Sequence, residues 1–276
     1  MRTVRPRHYV RIMARLSFPD YLHTIARESA RFREVLADCD PATQVPSCPD
    51  WRAADLLWHL GDVQFYWATV LEVRPADPGD PEPERPTSYD GLLAFFDEQN
   101  ARLMAALEGA DPADTAVTWK ADAQTVAFIY RRQAHEALIH RLDAELTAGA
   151  VTPFDKAIAA DGVEECLDVM FSGCPPWGNF APLPHYVRVD LTDVDEQVWA
   201  QIGRFTGTEP DTGVEHDEDD MHVVADPGVE PDAVIEGAAG AINAWLWRRG
   251  DDSEIKVHGD RAVYDHFRLA VNHPIN

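Results

Sequence analysis

The run Arg131-Arg132-Gln133-Ala134-His135-Glu136-Ala137-Leu138-Ile139-His140-Arg141-Leu142-Asp143-Ala144-Glu145 reads as a helix that presents chemistry to its neighbours. Glu136 and His140 are four positions apart, so on an α-helix their side chains lie one above the other on a single face. His135 points about 100° away from Glu136 and drops out of that face. A third donor must come from another helix. The best candidate is His59, in Cys48-Pro49-Asp50-Trp51-Arg52-Ala53-Ala54-Asp55-Leu56-Leu57-Trp58-His59-Leu60-Gly61-Asp62-Val63, where the histidine adjoins an apolar stripe. Two imidazoles and a carboxylate suit zinc and related divalent ions and leave one coordination position open. Asp143 is placed to orient His140, and Asp62 to orient His59. By spacing alone the same residues also read as a solvated ion pair and a hydrogen-bonded core histidine.

Around these two stretches the periodicity predicts four helices. The first spans 19–37. The second is capped by Asp50 and ends before Pro75, the third starts at Ser88, and the fourth runs from about Ala123 to Thr147, stopping at Gly149. Five prolines between Arg74 and Pro86 predict an extended loop that can rim a site. Four such helices with inward polar residues describe a bundle whose centre can hold an ion.

Beyond Pro153 the pattern changes. A helix over 161–171, a Gly/Pro-rich turn over 173–184, strands at 185–191, 197–205, 222–225 and 254–258, a helix over 231–249 and a closing helix over 260–271 give an α+β unit with a small antiparallel sheet. A length of 276 residues fits two domains, 18–150 and 151–276, behind a disordered tail over 1–17 in which Met13 is an alternative start. Glu215 to His222 reads as a charged hairpin loop rather than a second metal site, and Trp177, Trp245 and Trp247 as core and interface residues.

The 48 acidic and 24 basic residues leave a net charge of −24, which repels phosphate backbones and anionic lipid surfaces. Nucleic acid and membrane are therefore excluded as expected partners. The apolar runs are too short to span a bilayer, and residues 1–15 lack the apolar core of a secretory signal. Cys39, Cys48, Cys166 and Cys174 form no Cys-x-x-Cys pair, so reduced, mostly buried thiols and a cytoplasmic location are expected. The sequence contains no internal repeat, no phosphate-binding glycine loop and no Ser-His-Asp or Cys-His arrangement that would supply a protein nucleophile.

The sequence resembles the mycothiol-dependent maleylpyruvate isomerase family. The resemblance lies in Val45-Pro46-Ser47-Cys48-Pro49-Asp50-Trp51, in Asp55 to Gly61, and in Arg132 to Ala144. It continues in Ala159-Ala160-Asp161-Gly162-Val163, Trp245-Leu246-Trp247-Arg248-Arg249 and Val257-His258-Gly259-Asp260-Arg261. It implies a DinB-like metal-binding bundle followed by the family's C-terminal domain, with metal ligands at His59, Glu136 and His140. The cofactor it implies is Zn²⁺, with mycothiol as co-substrate. In that family the thiolate adds to the double bond of maleylpyruvate, the bond rotates and elimination gives fumarylpyruvate; in S-transferase relatives the sulfur stays on the electrophile. Two other readings stay open, a non-catalytic ligand-binding protein that keeps the fold and a hydrolase using metal-bound water. An anionic substrate needs cations, but Arg74, Arg132, Arg248 and Arg249 read as solvated or surface-paired and are left out of the site.

Overall fold

The computed structural model describes residues 16–272 and 275. The expected tail and the alternative start at Met13 lie outside these residues, except for Leu16 and Ser17. Helix α1, Phe18–Ala37, begins on a reciprocal cap in which Ser17 and Asp20 satisfy each other's backbone N–H groups. Helix α2, Ala53–Val73, starts three residues later than the expected Asp50 cap. The Arg52 N–H donates instead to the Asp55 carboxylate at 2.9 Å. Helix α3 is Tyr89–Glu108 and helix α4 is Val126–Ala148. The last ends on Gly149 at φ 71°, a left-handed turn that glycine adopts without a Cβ clash.

Leu56, Leu57 and Leu60 of α2 are fully buried, and each contributes about 1.5–3 kcal/mol by leaving water. Helix α4 differs from its neighbours because nearly its whole length is buried and yet it carries Arg131, Arg132, His135, His140, Arg141, Asp143 and Glu145 among its buried side chains. Such a helix is stable only if these groups find partners, since an unpaired buried charge costs several kcal/mol. It is the central post of the molecule. Its Ile139 and Leu142 belong to the apolar core of the C-terminal half, whereas Ala134 and Leu138 face the bundle core.

Helix α5, Lys156–Glu165, runs straight into a π-helical turn, Cys166–Phe171. Strands β1, Gly178–Leu191, β2, Glu196–Thr208, β3, Glu215–Val224, β4, Ala233–Gly237, and β5, Lys256–Gly259, form one sheet in the order β3-β2-β1-β4-β5. Helices α6, Ala239–Leu246, and α7, Arg261–Ala270, complete the chain.

The α+β class is as expected, with four local differences. The sheet is mixed, because β1 pairs β4 in parallel while its other pairs are antiparallel. The expected helix over 231–249 is a strand followed by a helix of eight residues. Ala233, Ile235 and Gly237 are buried in strict alternation, a period that the helical spacing of Val234, Ile235 and Ala238 masked. The expected turn over 173–184 belongs largely to β1, whose Pro182 and Pro184 sit at a register shift between Pro182 and Tyr186. A bulge is where a strand tolerates residues without an N–H. The acids of 215–222 form edge strand β3 rather than a loop. Asp217 and Asp219 take the Arg204 guanidinium at 2.6 and 2.9 Å, and edge charges of this kind deter pairing with another chain.

Cys48 and Cys166 are buried, whereas Cys174 is exposed, and all four thiols are free. Among the described residues no helix is long and apolar enough to cross a membrane.

Candidate metal centre

Helix α2 brings His59 against the Glu136 and His140 face of α4. One donor atom from each of these three residues lies within 4.8 Å of the others. The imidazole rings of His59 and His140 meet edge-on, 4.8 Å between centroids, and Trp51 covers His59 at 4.6 Å. Nε2 of His59 and Nε2 of His140 are both buried without a hydrogen-bond partner among the described residues. Buried polar atoms are rarely left unpaired, so two imidazole nitrogens converging beside a carboxylate mark a place for a shared ligand.

The surroundings set the protonation states. Asp143 Oδ2 lies 2.9 Å from His140 Nδ1 and, with Oδ1, receives Arg249 Nη2 and Nε at 3.0 Å each, while Ser47 donates its hydroxyl to Oδ1. Burial alone would raise the Asp143 pKa. The bond from His140 and the Arg249 charge outweigh it and bring the group down to about 2. An ionised Asp143 needs a donor, which the Nδ1–H of His140 supplies, and this leaves Nε2 facing Glu136, 3.9 Å away. His59 is pushed down to about 4, by burial first and then by neighbouring His140, and is neutral at physiological pH. Burial would also raise Glu136, but the Arg132 guanidinium, by its charge and its hydrogen bond, holds it below the ordinary carboxylate range. Two imidazoles and one carboxylate therefore face one point, the donor set that borderline divalent ions such as Zn²⁺ prefer.

Two of the arginines left out of the site in sequence are built into its walls. Arg132 is not a surface residue. It is 1 % exposed, pairs with Glu165, and donates to Glu136 Oε2 at 3.3 Å. Arg249, with a side chain 3 % exposed, anchors Asp143 from the C-terminal half and lies 5.8 Å over the Trp247 ring. Arg74, in contrast, pairs with Asp114 at 3.2 Å, and Arg248 is exposed. The i,i+4 spacing of Arg132 and Glu136 was a usable signal. Arg249 and Asp143 are 106 positions apart and gave none. Asp62 makes no hydrogen bond to His59; it lines a cleft of about 770 Å³ that ends on Glu136, Arg132 and Met170 of the π-helical turn.

His135 faces away, as its angle on the helix predicts. Its Nε2 lies 2.7 Å from Asp161 of α5, which also accepts from Tyr21 Oη at 3.0 Å and Arg131 Nε at 3.1 Å. This second cluster ties α1 and α4 to the C-terminal half. The Arg131 and His135 charges and hydrogen bonds hold Asp161 far below the carboxylate range despite its burial.

The sequence matches two family models. Residues 22–145 match the mycothiol maleylpyruvate isomerase N-terminal domain, and residues 157–266 match the C-terminal domain of the same family. Two solved structures share the fold, the mycothiol-dependent maleylpyruvate isomerase and a mutant of it. Both are 14 % identical to this chain and cover 89 % of it and 94 % of their own length, with TM-scores of 0.57 and 0.59. No curated protein matches the chain.

Proposed function

The chain belongs to the mycothiol maleylpyruvate isomerase family, and from that premise we propose that it is a zinc-dependent, cytoplasmic enzyme that uses mycothiol for cis-trans isomerisation or S-transfer to a small electrophile. The observation that carries this reading is the convergence of His59 Nε2 and His140 Nε2 on Glu136, which itself lines an open cleft. A divalent ion held by these three would favour the thiolate form of a bound thiol, the nucleophile that both reactions require.

The rest is the work of the chain itself. Arg249 and Ser47 fix Asp143, and Asp143 holds the proton of His140 on Nδ1, so the imidazole presents its lone pair and cannot rotate. Arg132 keeps Glu136 ionised and fixed in orientation. Trp51 shields both imidazoles from water on one side. No protein nucleophile is needed.

The test is metal analysis of the purified protein together with a thiol-consumption assay. We expect about one Zn²⁺ per chain, a roughly 100-fold or greater loss of affinity in His59→Ala, and consumption or isomerisation that depends on added mycothiol. Unchanged metal content in His59→Ala would falsify the ligand assignment. Turnover without any thiol would point to hydrolysis by bound water, and thiol binding without turnover to a non-catalytic role.

A further inference from the structure

The cleft that ends on Glu136 carries a recognition surface that the metal centre does not explain. One wall is aromatic and includes Trp58, Tyr66, Trp67 and Trp119. Trp67 and Trp119 lie 5.4 Å apart, and Trp119 is 56 % exposed although its edge packs on Phe128, so a large part of the indole is left for a ligand to cover. The same cleft is lined by the carboxylates of Asp62, one helical turn from both Trp58 and Tyr66 on α2, and of Asp80 and Glu82, on the proline-rich loop. Burial, and then the charges of Asp80 and Glu82, push the Asp62 carboxyl upward.

The cations of the flanking segments are already committed. Arg85 pairs with Asp55 at 2.7 Å, Arg74 with Asp114 at 3.2 Å, Lys120 with Asp168 at 3.6 Å, and Arg132 with Glu136 and Glu165. Among the described residues no cation pairs with Asp62, Asp80 or Glu82. A dicarboxylate entering this cleft would meet like charge with no free guanidinium to receive it. A cation would meet carboxylates and ring faces together, both of which attract it.

Resting on the functional reading above for where the chemistry occurs, we infer that the electrophile accepted here is a flat, apolar or aromatic molecule bearing a positive charge, an amine or quaternary ammonium, and not a dicarboxylate. The carboxylates at the rim select the charge, and the tryptophans hold the body of the molecule.

Tryptophan fluorescence of the full chain, titrated at low ionic strength with benzyltrimethylammonium, benzyl alcohol and benzoate, separates charge from shape. The expected order of affinity is ammonium, alcohol, benzoate, with roughly tenfold or more between the first and the last. The gap should shrink in 0.5 M salt, on the order of a threefold change, and in the double variant Asp62→Asn with Glu82→Gln. Benzoate binding as tightly as the ammonium, or a gap that the double variant leaves intact, overturns the inference. Zinc content measured on the same sample separates the two claims. Zinc bound without charge preference sinks this inference alone, whereas charge preference in a protein that binds no zinc sinks the metal reading and keeps the surface.

Discussion

His135 and His140 sit on the same helix, and each has a nitrogen within 3 Å of a buried carboxylate, at 2.7 Å from Asp161 and 2.9 Å from Asp143. Both carboxylates are also held by an arginine. The other nitrogen of each ring decides what the cluster is for. His135 Nδ1 has no partner among the described residues either, but it abuts Gly162, where a Cβ would lie 3.1 Å from it and 2.6 Å from Asn243 Nδ2. Not even a methyl group fits there. His140 Nε2 looks instead toward His59 and toward Glu136, which lines an open cleft. The same side-chain types thus build a closed clamp between the two halves of the chain in one place and an open donor set in the other. Room around the second nitrogen makes the difference.

The sharpest way to break this comparison is Asp161→Ala. It takes their shared buried acceptor from Arg131, His135 and Tyr21, leaving Arg131 only Glu164 at 3.5 Å and the backbone carbonyl of residue 161. It should destabilise the protein by about 3–5 kcal/mol in urea unfolding, while the folded fraction binds zinc as before. A loss below ~1 kcal/mol would show that the cluster is no clamp.

Next in size is a pH effect at the open centre. His59 binds a proton near pH 6.5 when unfolded but only near 4 when folded. Between these values the unfolded state holds the extra proton, so stability of the metal-free protein falls as pH drops from 6.5 to 4, by about 3 kcal/mol. Asp143 acts lower. Its folded pKa is depressed from 3.8 to about 2, so its contribution is present above 3.8 and is lost as pH falls through 2. Denaturant unfolding at a series of pH values measures the slope, and His59→Gln should flatten it between 6.5 and 4. An unchanged slope in that variant assigns the effect elsewhere.

The smallest expected effect sharpens the comparison across the two halves. Arg249→Met removes two of the bonds that fix Asp143 and should weaken zinc binding by roughly 10–100-fold in a chelator competition. If affinity holds, Ser47 and the His140 bond are sufficient to orient the carboxylate.

Local spacing made part of this legible. Four helices, the shared face of Glu136 and His140, the exclusion of His135 and the pairing of His140 with Asp143 all follow from 3.6-residue periodicity within one or two turns. Strand β1 was hidden because its prolines look like turn residues, and only the bulge at Pro182 makes them compatible with a sheet. Strand β4 was hidden because five residues are too few to separate a period of 2 from one of 3.6 when both faces carry aliphatics. Asp62 was placed beside His59 on helical spacing, but at three positions' distance its carboxylate points to the proline-rich loop and the cleft.

The sequence by itself determined which donors are available, a carboxylate and two imidazoles, and on which helices they ride, because hydrogen-bonded periodicity is a local property. The tertiary structure decided which of their atoms stay unpaired. That depends on partners such as Arg249 and Asp161, which the fold carries in from far along the chain and whose pairing with α4 depends on the two halves packing together.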